Sequence, residues 1–134
     1  VILLDTHVLL WSGLAVEGRL GPQALGRIDD AVRTRTALFS VISLWEITQL
    51  HARGRLELAI STAELRDMLL DHGFQELELW GDAAIRAGAL LHAHRDPADR
   101  FLMAQAQLAE ATLLTADRAI LAWPGPLSRQ HAGL

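Results

Sequence analysis

The chain opens on four consecutive apolar residues, Val1 to Leu4, and then meets the polar pair Asp5 and Thr6. A short unbroken apolar run suits a strand covered on both faces, and the polar pair supplies caps for a helix from His7 to about Leu14. Ser12 to Gln23 carries Gly13, Gly18, Gly21 and Pro22, which mark a loop before a helix from Gln23 to Arg33. Thr36 to Ile42 reads as a second strand. Ser43 opens a helix through His51 closed by Gly54, and Ser61 opens another through Asp71 closed by Gly73. Phe74 to Leu79 alternates imperfectly, as an edge strand does. Asp82 to His92 is alanine-rich and helical, Pro97 starts a helix reaching about Glu110, and Thr112 to Thr115 is a strand followed by a short helix from Ala116. Pro124, Gly125 and Pro126 break regular structure, which leaves Leu127 to Leu134 as a tail or a marginal strand.

Strands that alternate with helices imply a mostly parallel sheet with helices on both faces, because parallel neighbours need helical, right-handed crossovers. The expected fold class is α/β. A length of 134 residues suffices for one hydrophobic core, so a single domain over 1–134 is expected, with the segment from about 123 least defined.

Composition narrows the function classes. Half the residues are apolar (51%), yet no apolar run is long enough to span a bilayer, so no membrane role is expected. Val1 has no basic leader ahead of it and the chain has no cysteine, a combination that suits the cytoplasm and excludes disulfides and thiolate zinc sites. All twelve basic residues are arginine. The formal net charge is -4, but four acids gathered around cations would leave -4 + 4 = 0 on the remaining surface, so the acidic balance does not exclude a nucleic acid.

Asp5 ends the first strand, Glu46 falls in the first turn after the second, Asp99 in the first turn of a later helix, and Asp117 just after Thr112 to Thr115. Singly, each reads as capping: Asp5 as an N-cap, Ser43 and Glu46 as an S-x-x-E box, Asp96, Pro97 and Asp99 as N-cap, N1 and N3, and Asp117 as complementing a helix dipole. Together they lie where a parallel sheet binds its ligands, at the strand C-terminal ends. Two carboxylates about 5 Å apart at an effective dielectric near 20 repel by roughly 3 kcal/mol, so such a group requires cations. Oxygen ligands alone select a hard ion, Mg²⁺ or Mn²⁺, which could activate water at a phosphodiester. Thr6 and Thr115 adjoin the acids and could bond to them or to phosphate. Capping serves equally well for both.

The blocks LLDTHVLLW, SLWEI, HRDPADRFLMAQA and LLTAD, in this order, resemble PIN-domain toxins of the VapC type, and RLGPQAL and RGRLEL echo them. The likeness extends through Leu121. It implies a PIN-like fold, Mg²⁺-dependent endoribonuclease activity, a homodimer and a cognate antitoxin, with the catalytic and metal roles carried onto Asp5, Glu46, Asp99 and Asp117. In the DPADR block Asp99 holds the family's phase relative to the LMAQA helix, which makes Asp96 a cap or outer ligand. The Pro-Gly-Pro segment departs from the family's closing strand, as does Val1 from its usual methionine.

The run His92, His94, Asp96 looks like part of a metallo-β-lactamase motif, but Pro97 stands where a further histidine belongs. His94 fits better as a substrate or outer contact of the acidic site. Arg95, Arg100 and Arg118 lie nearest the acids and are the RNA-binding candidates. Asp5 as the nucleophile of a haloacid-dehalogenase-like phosphatase would want an acid at position 7, which is His7, and a lysine, of which there is none. The remaining alternative is a PIN-like module that binds RNA or antitoxin without turnover.

Overall fold

The computed structural model describes residues 1–93 and 95–134. Its elements alternate as expected: β1 (Ile2–Leu4), α1 (Thr6–Gly13), α2 (Pro22–Arg33), β2 (Ala37–Ser40), α3 (Val41–Ala52), α4 (Thr62–His72), β3 (Gln75–Leu77), α5 (Gly81–Ala89), α6 (Pro97–Leu108), β4 (Thr112–Thr115), α7 (Arg118–Ala122) and β5 (Arg129–His131). The strands form one five-stranded sheet in the order β3-β2-β1-β4-β5, parallel throughout. The chain winds outward from β1 to β3 on one side and resumes at β4 on the other, so the switch point lies between β1 and β4.

Period-two alternation along β1 divides the core. Ile2 and Leu4 pack with Val8, Leu9, Ile28, Ile47 and Leu65 on the face covered by α1, α2, α3 and α4. Leu3 points the other way, against Leu102, Met103, Leu113 and Ile120 of α6, β4 and α7. Full burial of such side chains contributes about 1.5–3 kcal/mol each, which is why the central strand carries no polar residue before Asp5. No helix among the described residues is long and apolar enough to cross a membrane.

Local signals explain the ends of the helices. Ser61 and Glu64 form a reciprocal capping box at the start of α4, and Gly73 closes it with a φ of 105°. The start of α3 departs from expectation. Ser40 is its N-cap, accepting from the Ile42 amide at 3.0 Å, so β2 ends earlier than Ile42 and Ser43 lies inside the helix. The S-x-x-E spacing of Ser43 and Glu46 is therefore not a capping box, and both side chains are available for the interior edge of the sheet.

The C-terminal segment closes the sheet. Arg129 to His131 pair with Leu113 to Thr115, which makes the marginal strand real. The preceding turn is tight because Gly125 lies on the Trp123 indole: a Cβ there would come within 2.2 Å of the ring. The Trp123 Nε1–H donates to the Leu91 carbonyl at 2.8 Å and fixes that ring.

Candidate active site at the sheet's switch point

Asp5 leaves β1 and caps α1, its Oδ1 accepting from the Thr6 amide at 2.7 Å. Its other oxygen accepts from the Thr115 hydroxyl at 2.6 Å, a bond across the switch point. The same hydroxyl accepts from the Asp117 amide at 3.0 Å, and Asp117 caps α7 through the Ile120 amide at 3.0 Å. Asp96 caps α6 at the Ala98 amide, 2.9 Å away, and Asp99 follows in the first turn, buried. Capping thus does occur at Asp5, Asp96 and Asp117. It orients these carboxylates rather than removing them from a shared site.

Asp5, Glu46, Asp96, Asp99 and Asp117 all line one cleft of about 320 Å³, with His7, Trp11 and Ala116 completing its wall. Acids from four separate segments therefore meet at one edge, as expected of Asp5, Glu46, Asp99 and Asp117, and Asp96 joins them. Thr6 does not face the cleft as a lining residue. Its buried hydroxyl meets that of Ser43 at 2.9 Å, below Asp5 and Glu46, a role for Ser43 that its spacing had disguised as capping. His94 lies outside the described residues.

The arginines divide. The Arg100 Nε donates to the Ala87 carbonyl at 2.9 Å, and its Nη2 to the carbonyls of Gly88 at 3.3 Å and Leu90 at 2.9 Å. Its guanidinium thus holds the C-terminal end of α5, where the helix leaves carbonyls unpaired. Arg95 and Arg118 are exposed beside the acidic edge.

Electrostatics mark the cleft as short of positive charge. Burial pushes the Asp5 carboxyl up, against the lowering effects of Thr115, the Thr6 amide and His7. Burial likewise raises Glu46, which the Thr6 hydroxyl pulls partly back and the charges of Asp96 and Asp5 raise further. Asp99 is pushed up to about 8, first by burial and then by the charges of Asp5, Asp96, Asp117 and Glu46. Glu46 Oε1 is also buried without a hydrogen-bond partner among the described residues. A buried oxygen left unpaired, among carboxyls raised by one another's charge, suits an oxygen-coordinated divalent cation. Among the described residues, no three His, Asp or Glu side chains stand arranged to hold an ion as they are placed.

A parallel α/β sheet with a carboxylate cluster at its switch point defines a small acidic-site domain of the kind that recruits hard cations. The PIN domain family model matches residues 2–123, and the chain belongs to that family. Membership displaces the haloacid-dehalogenase-like alternative. Among solved structures the chain is similar to VapBC2 from Rickettsia felis, bound to a DNA fragment from the promoter, at 14% identity and a TM-score of 0.67 over 96% of each chain. It is similar also to DNA-bound VapBC from Salmonella typhimurium, at 18% identity and 0.65 over 96% of each chain. FitAcB from Neisseria gonorrhoeae matches at 20% identity and 0.59 over 89% of each chain. A comparison with curated protein sequences found no match.

Proposed function

We propose that this PIN domain is a metal-dependent endoribonuclease, the toxin of a type II toxin-antitoxin pair. The observation that carries the reading is the convergence of Asp5, Glu46, Asp99 and Asp117, from four segments, on one cleft at the switch point. These four would hold Mg²⁺ or Mn²⁺, with Asp96 at the rim. When bound, such an ion supplies Lewis acidity that activates water and offsets charge developing on a phosphodiester. The chain's own part is to place the acids: Thr115 and the Thr6 amide fix both oxygens of Asp5, and helix caps fix Asp96 and Asp117. Arg95 and Arg118 are the exposed cations suited to meet RNA phosphates beside the cleft.

The structural neighbours, one a toxin-antitoxin complex by name and two of them VapBC assemblies, support an antitoxin as partner. An antitoxin segment has an apolar seat of about 790 Å³ among α1, α2 and α4, lined by Leu20, Leu25, Ile28, Val32, Met68 and Phe74. Exposed Trp45, Trp80, Ile85 and Leu91 are surface for a second copy, as the homodimer requires. The cytoplasm is where such a pair would meet RNA.

The test is cleavage of a mixed cellular RNA pool by purified protein with Mg²⁺, Mn²⁺ or chelator, beside Asp5→Asn. Cutting that needs both metal and Asp5 is expected. Cutting by Asp5→Asn at the parental rate would overturn the site, and no cutting under either metal would transfer the reading to a binding module.

A further inference from the structure

Two rings on one wall of the cleft, and a guanidinium that lies over one of them, stand beside the acids without belonging to their cluster. His7 is exposed, two residues past Asp5, and Trp11 lies one helical turn beyond it on α1; both line the acidic cleft. Their rings sit 6.2 Å apart at 51°, a tilted pair. The Arg19 guanidinium, from the loop after α1, lies over the Trp11 ring at 5.6 Å from its centroid. Arg19 is exposed and forms no ion pair with an acid among the described residues. The three therefore run outward from the carboxylates as two aromatic rings and then an unneutralised, stacked cation.

We propose that His7, Trp11 and Arg19 form a seat for single-stranded RNA, in which a nucleobase beside the scissile phosphate stacks on the exposed His7 ring, Trp11 backs that ring from the next helical turn, and Arg19, held over the indole, takes a neighbouring phosphate. Each part has a physical reason. An acidic cleft repels a polyanion until cations load it, so substrate must be held from outside the carboxylate cluster. Aromatic faces hold unpaired bases of any sequence, and base pairing hides those faces, which selects single strands. A guanidinium already stacked on an indole loses less freedom on meeting a phosphate than a free side chain does. Trp11 is also partly anchored in the core, packing against the cluster that contains Leu9 and Leu69, which makes the wall rigid.

This inference rests on the nuclease reading for its substrate, and binding can be separated from cutting by working in Asp5→Asn. The probe is a short fluorescent single-stranded RNA of mixed sequence, followed by anisotropy over a range of salt. His7→Ala and Arg19→Gln are each expected to weaken binding about 10-fold, and Arg19→Gln to lower the salt slope by about 0.7. His7→Phe should restore affinity, since it keeps a ring and no charge. Trp11→Leu, checked by thermal melting, should weaken binding similarly, and the paired duplex should bind less tightly than the single strand. In the parental chain the losses should fall on KM more than on kcat. Affinities of His7→Ala and Arg19→Gln within about twofold of Asp5→Asn would overturn the seat while leaving a cutting parent a nuclease. A parent that binds RNA through these residues yet never cuts would sink the nuclease reading and keep the seat. No RNA binding by Asp5→Asn at any salt overturns the seat outright.

Discussion

Thr115 and Asp5 are joined by a 2.6 Å hydrogen bond between residues 110 positions apart, and the bond ties the C-terminal ends of the two strands that flank the switch point. Because Thr115 Oγ1 also accepts from the Asp117 amide, one hydroxyl sets the spacing of two of the proposed metal ligands. Thr115→Val keeps the shape and removes both bonds. It is expected to cost about 1–3 kcal/mol of stability, for buried groups left unpaired, and to lower kcat at least 10-fold with KM little changed. Thr115→Ser should retain most of both. Urea unfolding beside steady-state kinetics checks the pair of effects, and a valine variant with parental kcat would remove Thr115 from the positioning of Asp5.

The raised carboxyls predict how the metal-free protein responds to pH. Asp99 is near 8 when folded and near 3.8 as its ordinary value, so between these limits the folded state holds a proton that the unfolded state has released. Stability is therefore fully present below about pH 4 and is lost as pH rises toward 8, by at most about 1.4 kcal/mol per unit from this group. Asp5 and Glu46, raised for the same reason, add in the same direction. Melting in chelator should show Tm falling from pH 5 to 8, Asp99→Asn should flatten that slope, and Mn²⁺ should raise Tm most at the alkaline end. A Tm that climbs with pH in chelator would contradict the electrostatics described for the cleft.

The acids were legible in the sequence because a parallel sheet forces strand ends and following helix starts to one edge, so four capping-like acids could be read as one site. What spacing could not show is which residue begins α3. Ser43 and Glu46 have the spacing of a capping box, but Ser40 is the cap, and the displaced Ser43 hydroxyl instead meets Thr6 from a distant part of the chain. Arg100 was opaque for a similar reason: nearness to Asp99 in sequence suggested phosphate contact, while its carbonyl partners belong to α5. The strand at Arg129 to His131 carries no apolar pattern because an edge strand of three residues needs backbone pairing more than burial.

The buried pair Thr6 and Ser43 should behave as one unit. Each residue is fully buried with its hydroxyl 2.9 Å from the other, so removing Thr6 strands Ser43, while removing Ser43 leaves Thr6 with Glu46 alone. Thr6→Val and Ser43→Ala are each expected to destabilise by about 1–2 kcal/mol. The double variant should cost clearly less than the sum of the two, because no orphaned hydroxyl remains. Strict additivity in a double-mutant cycle would show that the two do not bond.

Arg100 and Arg118 offer a contrast between two arginines that sequence position alone cannot separate. Arg100 donates to three carbonyls at the end of α5, and replacing it with alanine strands them, with an expected loss of about 1–3 kcal/mol. RNA affinity should hardly change. Arg118 is exposed at the first position of α7, beside the proposed ligand Asp117, where a guanidinium can reach a phosphate at little cost to the fold. Arg118→Ala should leave the unfolding midpoint within error and raise KM for RNA several-fold, with a shallower dependence of KM on salt. The two variants measured side by side by urea unfolding and by kinetics at two salt concentrations should therefore show opposite patterns. An Arg100→Ala chain of parental stability and weakened RNA binding would reverse the assignment and return Arg100 to the substrate.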